Sequence, residues 1–202
     1  MSVIGSSSEI SADDALCKKL LAKNPDIEKV LLDTRQVKKR VKELAKAINE
    51  KYEGKRLVVV GILKGAFMFM SDLCKHLTVE HQVDFMALSS YGKNSVRGAV
   101  RIIMDCRVDL GGRDVLIVED IVDSGYTLQF LQNLLKTRQP ASLATAVFLR
   151  KKECIQVDSP LDFIGFDVPN DWLVGFGLDY GERLRTLPFV GVLKKSVYEK
   201  DS

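Results

Sequence analysis

The chain has 202 residues, 46% of them hydrophobic and 28% charged, with a formal net charge of +3. This is the composition of one ordinary soluble globular domain able to bury a full core. The charge is too mild to argue for nucleic-acid binding by itself, and it suits polyanionic small substrates equally well. Cysteines 17, 74, 106 and 154 show no C-x-x-C or His-rich spacing, which argues against a disulfide frame or a zinc site. The longest clean apolar run, Leu57–Leu63, is far too short to span a bilayer, and no signal-peptide pattern opens the chain. The cytoplasm is the expected compartment.

In chain order, residues 1–30 read as a partly disordered N-terminal extension. Met1–Ser11 is Ser-rich, and a short helix is expected over about Asp13–Leu21. Residues 31–202 read as a single domain. Asp33 and Gln36 form a capping-box-like pair, and Val37, Val41, Leu44, Ile48 and Tyr52 mark one helical face that ends at Gly54. The opposite face carries Lys38, Lys39, Arg40, Lys42 and Lys46, a solvated face or a nucleic-acid patch. Leu57–Leu63 is a buried strand, Lys64-Gly65 a turn and Ala66–Leu77 a helix. Val83–Ser89 is a strand, and Tyr91–Gly98 is polar and Gly-punctuated, a mobile loop by composition. Val100–Val108 is extended, and Gly111-Gly112 turns it into the next strand.

That strand carries most of the chemistry. Val115–Val118 is a run of β-formers, followed by Glu119, Asp120 and Asp123, then by Ser124-Gly125-Tyr126-Thr127 and a helix from Leu128 to about Arg138. A capped turn would explain Asp123 and Ser124 alone. Three acids crowded at a strand end repel one another and serve no purpose in a purely structural turn. Helix N-terminal N–H groups receive phosphate, Gly125 permits close backbone approach, and Ser124 and Thr127 add hydroxyl donors. Glu119 and Asp120 are acceptors suited to vicinal ribose hydroxyls. The pattern suggests a cradle for ribose 5-phosphate. Ser142–Leu149, Phe163–Val168 and Leu173–Phe176 are further strands. The strand–helix alternation predicts an α/β fold with a mostly parallel twisted sheet flanked by helices, and ligands beyond the strands' C-terminal ends.

The Glu119-Asp120-Ile-Val-Asp123-Ser124-Gly125 segment resembles the phosphoribosyl-pyrophosphate signature of type I phosphoribosyltransferases, in the form of their hypoxanthine-guanine branch. The resemblance runs from the helix after Asp33 to Lys194. It implies a small hood subdomain built by residues near 155–185 over the base site, and a flexible lid loop. It also implies purine salvage: the 5-phosphoribosyl group passes from 5-phosphoribosyl 1-diphosphate to N9 of hypoxanthine or guanine, giving IMP or GMP and pyrophosphate. Residue by residue, Asp123 matches the base that acts on the purine. Glu119, Asp120, Ser124, Gly125, Tyr126 and Thr127 match the ribose 5-phosphate site. Lys64, Gly65 and Arg185 match pyrophosphate contacts, with Ser90 and Tyr91 on the lid. The turn at Lys64 is, in the family, often a cis peptide. Lys151, counted back from Asp162-Phe163-Ile164-Gly165-Phe166, matches the lysine on the purine O6, with Lys152 one residue away. Trp172 matches the stacking aromatic, though by composition a lone Trp is more often core. Leu173 supplies the neighbouring carbonyl. Asp179, with Glu119 and Asp120, matches the Mg²⁺ site. The implied partners are small molecules, with no nucleic acid and no membrane, and the family suggests a homodimer or homotetramer. A xanthine or other nucleobase phosphoribosyltransferase and an RNA-binding regulator of the same fold stay open as alternatives.

Overall fold

A computed structural model of the chain describes residues 15–90 and 100–199. Its elements are α1 (Ala15–Lys23), β1 (Ile27–Leu32), α2 (Thr34–Lys51), β2 (Arg56–Leu63), α3 (Phe67–Cys74), β3 (Glu80–Ser90), β4 (Val100–Met104), β5 (Asp114–Val122), α4 (Tyr126–Lys136), β6 (Ser142–Arg150), β7 (Phe163–Asp167), β8 (Leu173–Val174), β9 (Val190–Leu193) and α5 (Lys195–Tyr198).

The apolar runs of β2, β5 and β6 form the centre of a six-stranded sheet, ordered β4-β3-β2-β5-β6-β7. All its pairings are parallel except β3 with β4. Side chains alternate between faces along a strand, so a sheet covered on both sides needs apolar residues at both parities. β2 shows this directly. Leu57 and Val59 join α2 and α3 residues such as Val41, Ile48 and Phe69, while Val58 and Val60 join Leu128, Leu131 and Leu135 of α4. At the start of α2 the expected capping box is present: Asp33 Oδ1 accepts from the Gln36 N–H at 2.8 Å, and Gln36 Oε1 accepts from the Asp33 N–H at 2.9 Å. A side-chain cap of this kind contributes about 1 kcal/mol.

The chain leaves β2 for β3 on one side and returns to β5 on the other. The C-terminal ends of β2 and β5 therefore diverge around a crevice, which is where open α/β sheets bind ligands. A second sheet, ordered β1-β9-β8, is antiparallel. Its own core contains Cys17, Ile27, Val174, Leu187, Phe189 and Leu193.

The structure refines four expectations. The boundary near residue 30 falls inside β1, whose Ile27, Lys29, Val30 and Leu32 pair with β9, so residues from Ala15 onward are part of the folded unit. Long-range antiparallel pairing leaves no local signature, which is why the segment reads as an extension. The residues near 155–185 divide between the two sheets. β7 extends the main sheet by pairing with β6, and only β8 joins the small sheet. The strand at Leu173 ends at Val174, because Gly175 and Phe176 take positive φ of 92° and 46°. Finally, α4 starts at Tyr126, two residues early, because Gly125 supplies its N-cap. The loop expected over Tyr91–Gly98 lies outside the described residues.

Candidate active site

The parallel register of β5 and β6 sets Val122 beside Arg150, so the next residues, Asp123 and Lys151, leave the sheet as neighbours. Lys151 Nζ lies 3.5 Å from Asp123 Oδ2 and 3.2 Å from Asn170 Oδ1. The Lys151 side chain is only 14% exposed, whereas that of Asp123 is 58% exposed. The lysine is thus fixed by its surroundings while the carboxylate faces outward. Lys152, one residue on, starts a short 3-10 turn and is exposed.

Residues Ser124 to Thr127 wrap the N-terminus of α4. A plain capped turn would show Asp123 or Ser124 bonded to the first helical N–H groups. Instead the N-cap is Gly125, at φ 89°, and no side chain caps the helix. The N-terminal amides of α4 thus have no side-chain acceptor and carry the positive end of the helix dipole. Gly125 is needed twice over: its φ is left-handed, and a Cβ there would come within 2.8 Å of the Val157 carbonyl. That loop braces the turn, with the Gln156 N–H donating to Ser124 O at 3.0 Å and Ser159 Oγ to Gly125 O at 3.3 Å. A cavity of about 150 Å³ is lined by Glu119, Asp123, Ser124, Gly125 and Thr127. A larger hollow of about 520 Å³, around Arg56, His81 and Arg113, sits at the opposite end of the sheet, away from this chemistry.

Glu119 and Asp120 close the crevice between β5 and β2. Glu119 is 8% exposed and its Oε2 has no hydrogen-bond partner. Burial, with the Asp120 charge adding to it, holds its carboxyl well above the usual range. Burial likewise raises Asp120 to about 6, moderated by the Ile121 N–H and the Arg185 charge. Across the crevice the Leu63–Lys64 peptide is cis. A Cβ on Gly65 would stand 1.7 Å from Asp120 Oδ2, so only glycine lets the turn approach this carboxylate.

The segment after β8 brings Asp179 and Arg185 to the same rim. Arg185 Nη2 pairs with Asp179 Oδ1 at 2.9 Å, and Nη1 donates to Gly177 O at 2.9 Å, while Arg185 Nε is buried without a partner. Lys64 Nζ reaches Glu182 Oε2 at 2.9 Å. The Lys64 ammonium and the Arg185 guanidinium hold the Glu182 carboxyl below its ordinary range. Trp172 is 46% exposed, edge-on to Tyr180 and stacked on Tyr198 at 5.2 Å between ring centroids. It is therefore a surface platform with Tyr198 against one face, while the side chain of Leu173 belongs to the core. Tyr126 is 44% exposed on the first turn of α4. Ser90 ends β3, and Tyr91 lies outside the described residues.

Asn170 and Glu182 escaped the sequence reading. Asn170 has no sequence signal that separates it from a turn residue. Glu182 sits in the charge-dense Asp179-Tyr-Gly-Glu-Arg-Leu-Arg185 stretch, and that density was the available hint. Among the described residues, no three His, Cys, Asp or Glu side chains gather into a metal cage. No helix among them is long and apolar enough to cross a membrane. On the basic face of α2, Arg40 turns inward, donating to Gly165 O and Ile164 O at 2.8 Å each.

The family model for the phosphoribosyl transferase domain matches residues 29–181. The hypoxanthine-guanine phosphoribosyltransferase of Dictyostelium discoideum is 48% identical over 176 residues, covering 85% of this chain and 98% of that protein. The hypoxanthine phosphoribosyltransferase of Escherichia coli strain K12 is 46% identical over 165 residues, covering 80% of this chain and 93% of that protein. The crystal structure of a hypoxanthine phosphoribosyltransferase from Staphylococcus aureus superposes with a TM-score of 0.84 at 40% identity, covering 88% of this chain and 97% of that one.

Proposed function

This chain belongs to the phosphoribosyl transferase family, and from that premise we propose that it transfers the 5-phosphoribosyl group of 5-phosphoribosyl 1-diphosphate to N9 of hypoxanthine or guanine. The products are IMP or GMP and pyrophosphate, and the enzyme is a pentosyl transferase of purine salvage. The observation that carries the reading is the outward-facing Asp123 carboxylate 3.5 Å from the anchored Lys151 ammonium, beside the uncapped N-terminus of α4. An acceptor and a donor at this separation suit the N7–H and the O6 of a 6-oxopurine. A lysine is only a donor, so it disfavours the 6-amino group of adenine.

In the reaction the N9–C1′ bond forms as the C1′–O bond breaks, and the bonding pair leaves with pyrophosphate. Asp123 takes the N7 proton of the purine as general base. Lys151 holds O6, and the open face of Trp172 and the backbone of Leu173 seat the ring. The α4 amides, Ser124, Gly125, Tyr126 and Thr127 hold the 5-phosphate, while Glu119 and Asp120 accept from the ribose hydroxyls. Lys64, Gly65 and Arg185 take the diphosphate, and Ser90 and Tyr91 belong to the lid that excludes water.

Mg²⁺ usually takes one or two carboxylates plus substrate phosphates and water, so it needs no three-carboxylate cage. The partnerless Glu119 Oε2 and the rim carboxylate of Asp179 fit such a role. Asp179, Glu119 and Asp120 would hold it, and it would neutralise the diphosphate charge. Assembly as a homodimer or homotetramer belongs to the same proposal; the exposed Val83, Ile103 and Met104 of β3 and β4 offer apolar surface for it. So does a cytoplasmic location, supported by four cysteines of which none is in a disulfide.

The test is pyrophosphate release with donor, Mg²⁺ and each purine in turn. Hypoxanthine and guanine should support it. Release with adenine alone would overturn the base assignment.

A further inference from the structure

Lys64 and Arg185, the two cations read above as pyrophosphate contacts, come from two segments far apart in the chain, the turn after β2 and the stretch after β8. They are already joined by one oxygen: Glu182 Oε2 lies 2.9 Å from Lys64 Nζ and 3.3 Å from Arg185 Nη2. One anionic oxygen shared by two cations is the contact that a phosphate oxygen would make. Resting on that reading of the site, we infer that the Glu182 carboxylate is an internal counter-anion, holding Lys64 and Arg185 in register until diphosphate displaces it.

The local backbone is built for the task. Glu182 has φ 64°, in the left-handed region that non-glycine residues adopt rarely and mostly at functional positions. Its N–H donates to Asp179 Oδ2 at 2.8 Å, and Asp179 Oδ1 pairs with Arg185 at 2.9 Å. Asp179, Glu182 and Arg185 thus form a closed ring that aims the Glu182 side chain at a lysine 118 positions earlier (182 − 64 = 118). The displacement itself is easy, because the Lys64 and Glu182 side chains are 67% and 64% exposed. Solvent receives the carboxylate when it swings away. A carboxylate and a diphosphate compete for the same two cations, so Glu182 orders the site at the cost of affinity and speeds departure of pyrophosphate by re-entering behind it. It is a positioning and release residue; it touches no reacting atom.

The sign of its effect distinguishes this role from a structural one, since damage to a loop weakens ligand binding. Inorganic pyrophosphate with Mg²⁺ would be titrated calorimetrically into the full-length wild type, Glu182→Gln and Glu182→Asn, the last because asparagine tolerates a left-handed φ. Removing an exposed ion-pair competitor should tighten pyrophosphate binding about three- to tenfold. In the transfer assay the donor KM should fall by a similar factor, and kcat should fall as product release slows. Unchanged or weaker pyrophosphate binding in both variants would overturn the inference. Failure of the wild type to use any purine would instead overturn the transfer reaction, while leaving the binding comparison intact.

Discussion

Replacing Gly65 by Ala should break the crevice at one identifiable contact. The added Cβ would lie 1.7 Å from Asp120 Oδ2, 2.4 Å from its Cγ and 3.1 Å from Oδ1. The smallest separation real Cβ atoms show is about 3.0 Å, so the carboxylate must retreat by about 1.3 Å (3.0 − 1.7). Asp120 follows buried β5 residues and its Oδ1 is tied to the Ile121 N–H at 2.8 Å, so retreat means breaking that bond or displacing the Lys64 turn. Overpacking of this kind costs roughly 1–3 kcal/mol. For a chain of this size each kcal/mol lowers the melting temperature by about 2–4 °C. Differential scanning calorimetry gives the melt, and steady-state kinetics should show a raised donor KM because both walls of the sugar site move. The decisive measurement is a double-mutant cycle. In an Asp120→Gly background the three nearest contacts of that Cβ are gone, so Gly65→Ala should cost less stability there, while activity stays low because the ribose acceptor is gone. Equal destabilisation in both backgrounds would refute the steric account.

Asp123→Asn should lower turnover by roughly 10²–10⁴ with little change in donor KM, and near-normal turnover would remove Asp123 as the base. Lys151→Met should reduce kcat/KM for hypoxanthine about 10- to 100-fold, the range for loss of a charged hydrogen bond, without a matching change for adenine. An unchanged hypoxanthine-to-adenine ratio would show that Lys151 does not read O6. The pH dependence of stability has a definite sign. Burial raises Asp120 from 3.8 to about 6, so between these values the folded state binds more protons than the unfolded one. Its contribution is therefore present below pH 3.8 and lost as pH rises through 6. Asp120→Asn should flatten the decline in melting temperature over that window, and an undiminished decline would place its origin elsewhere.

Local pattern carried the elements whose signals are local. The capping box at Asp33, the apolar runs of β2 and β5, and the strand–acid–turn–helix unit through Thr127 all read directly from residue order, because hydrogen bonding and side-chain period are short-range properties. β1 and β9 did not, since each is short and is made a strand by a partner far along the chain. The choice between Lys151 and Lys152 was a counting problem in sequence and a register problem in three dimensions. The pairing of Val122 with Arg150 sets Lys151 beside Asp123, which favours Lys151.

The sequence by itself determined the chemistry available: three acids at a strand end, a hydroxyl-rich turn, a lysine-glycine turn, and a late segment with Trp172, Asp179 and Arg185. These are local groupings, and their residue types state what each can bind. Only the tertiary structure decided which groupings meet. Strand order put β2 against β5, bringing Gly65 to Asp120, and the fold of the segment after β8 brought Glu182 between Lys64 and Arg185. Those contacts depend on the strand order of the sheet and on the path of the returning chain, and neither is written in any window of adjacent residues.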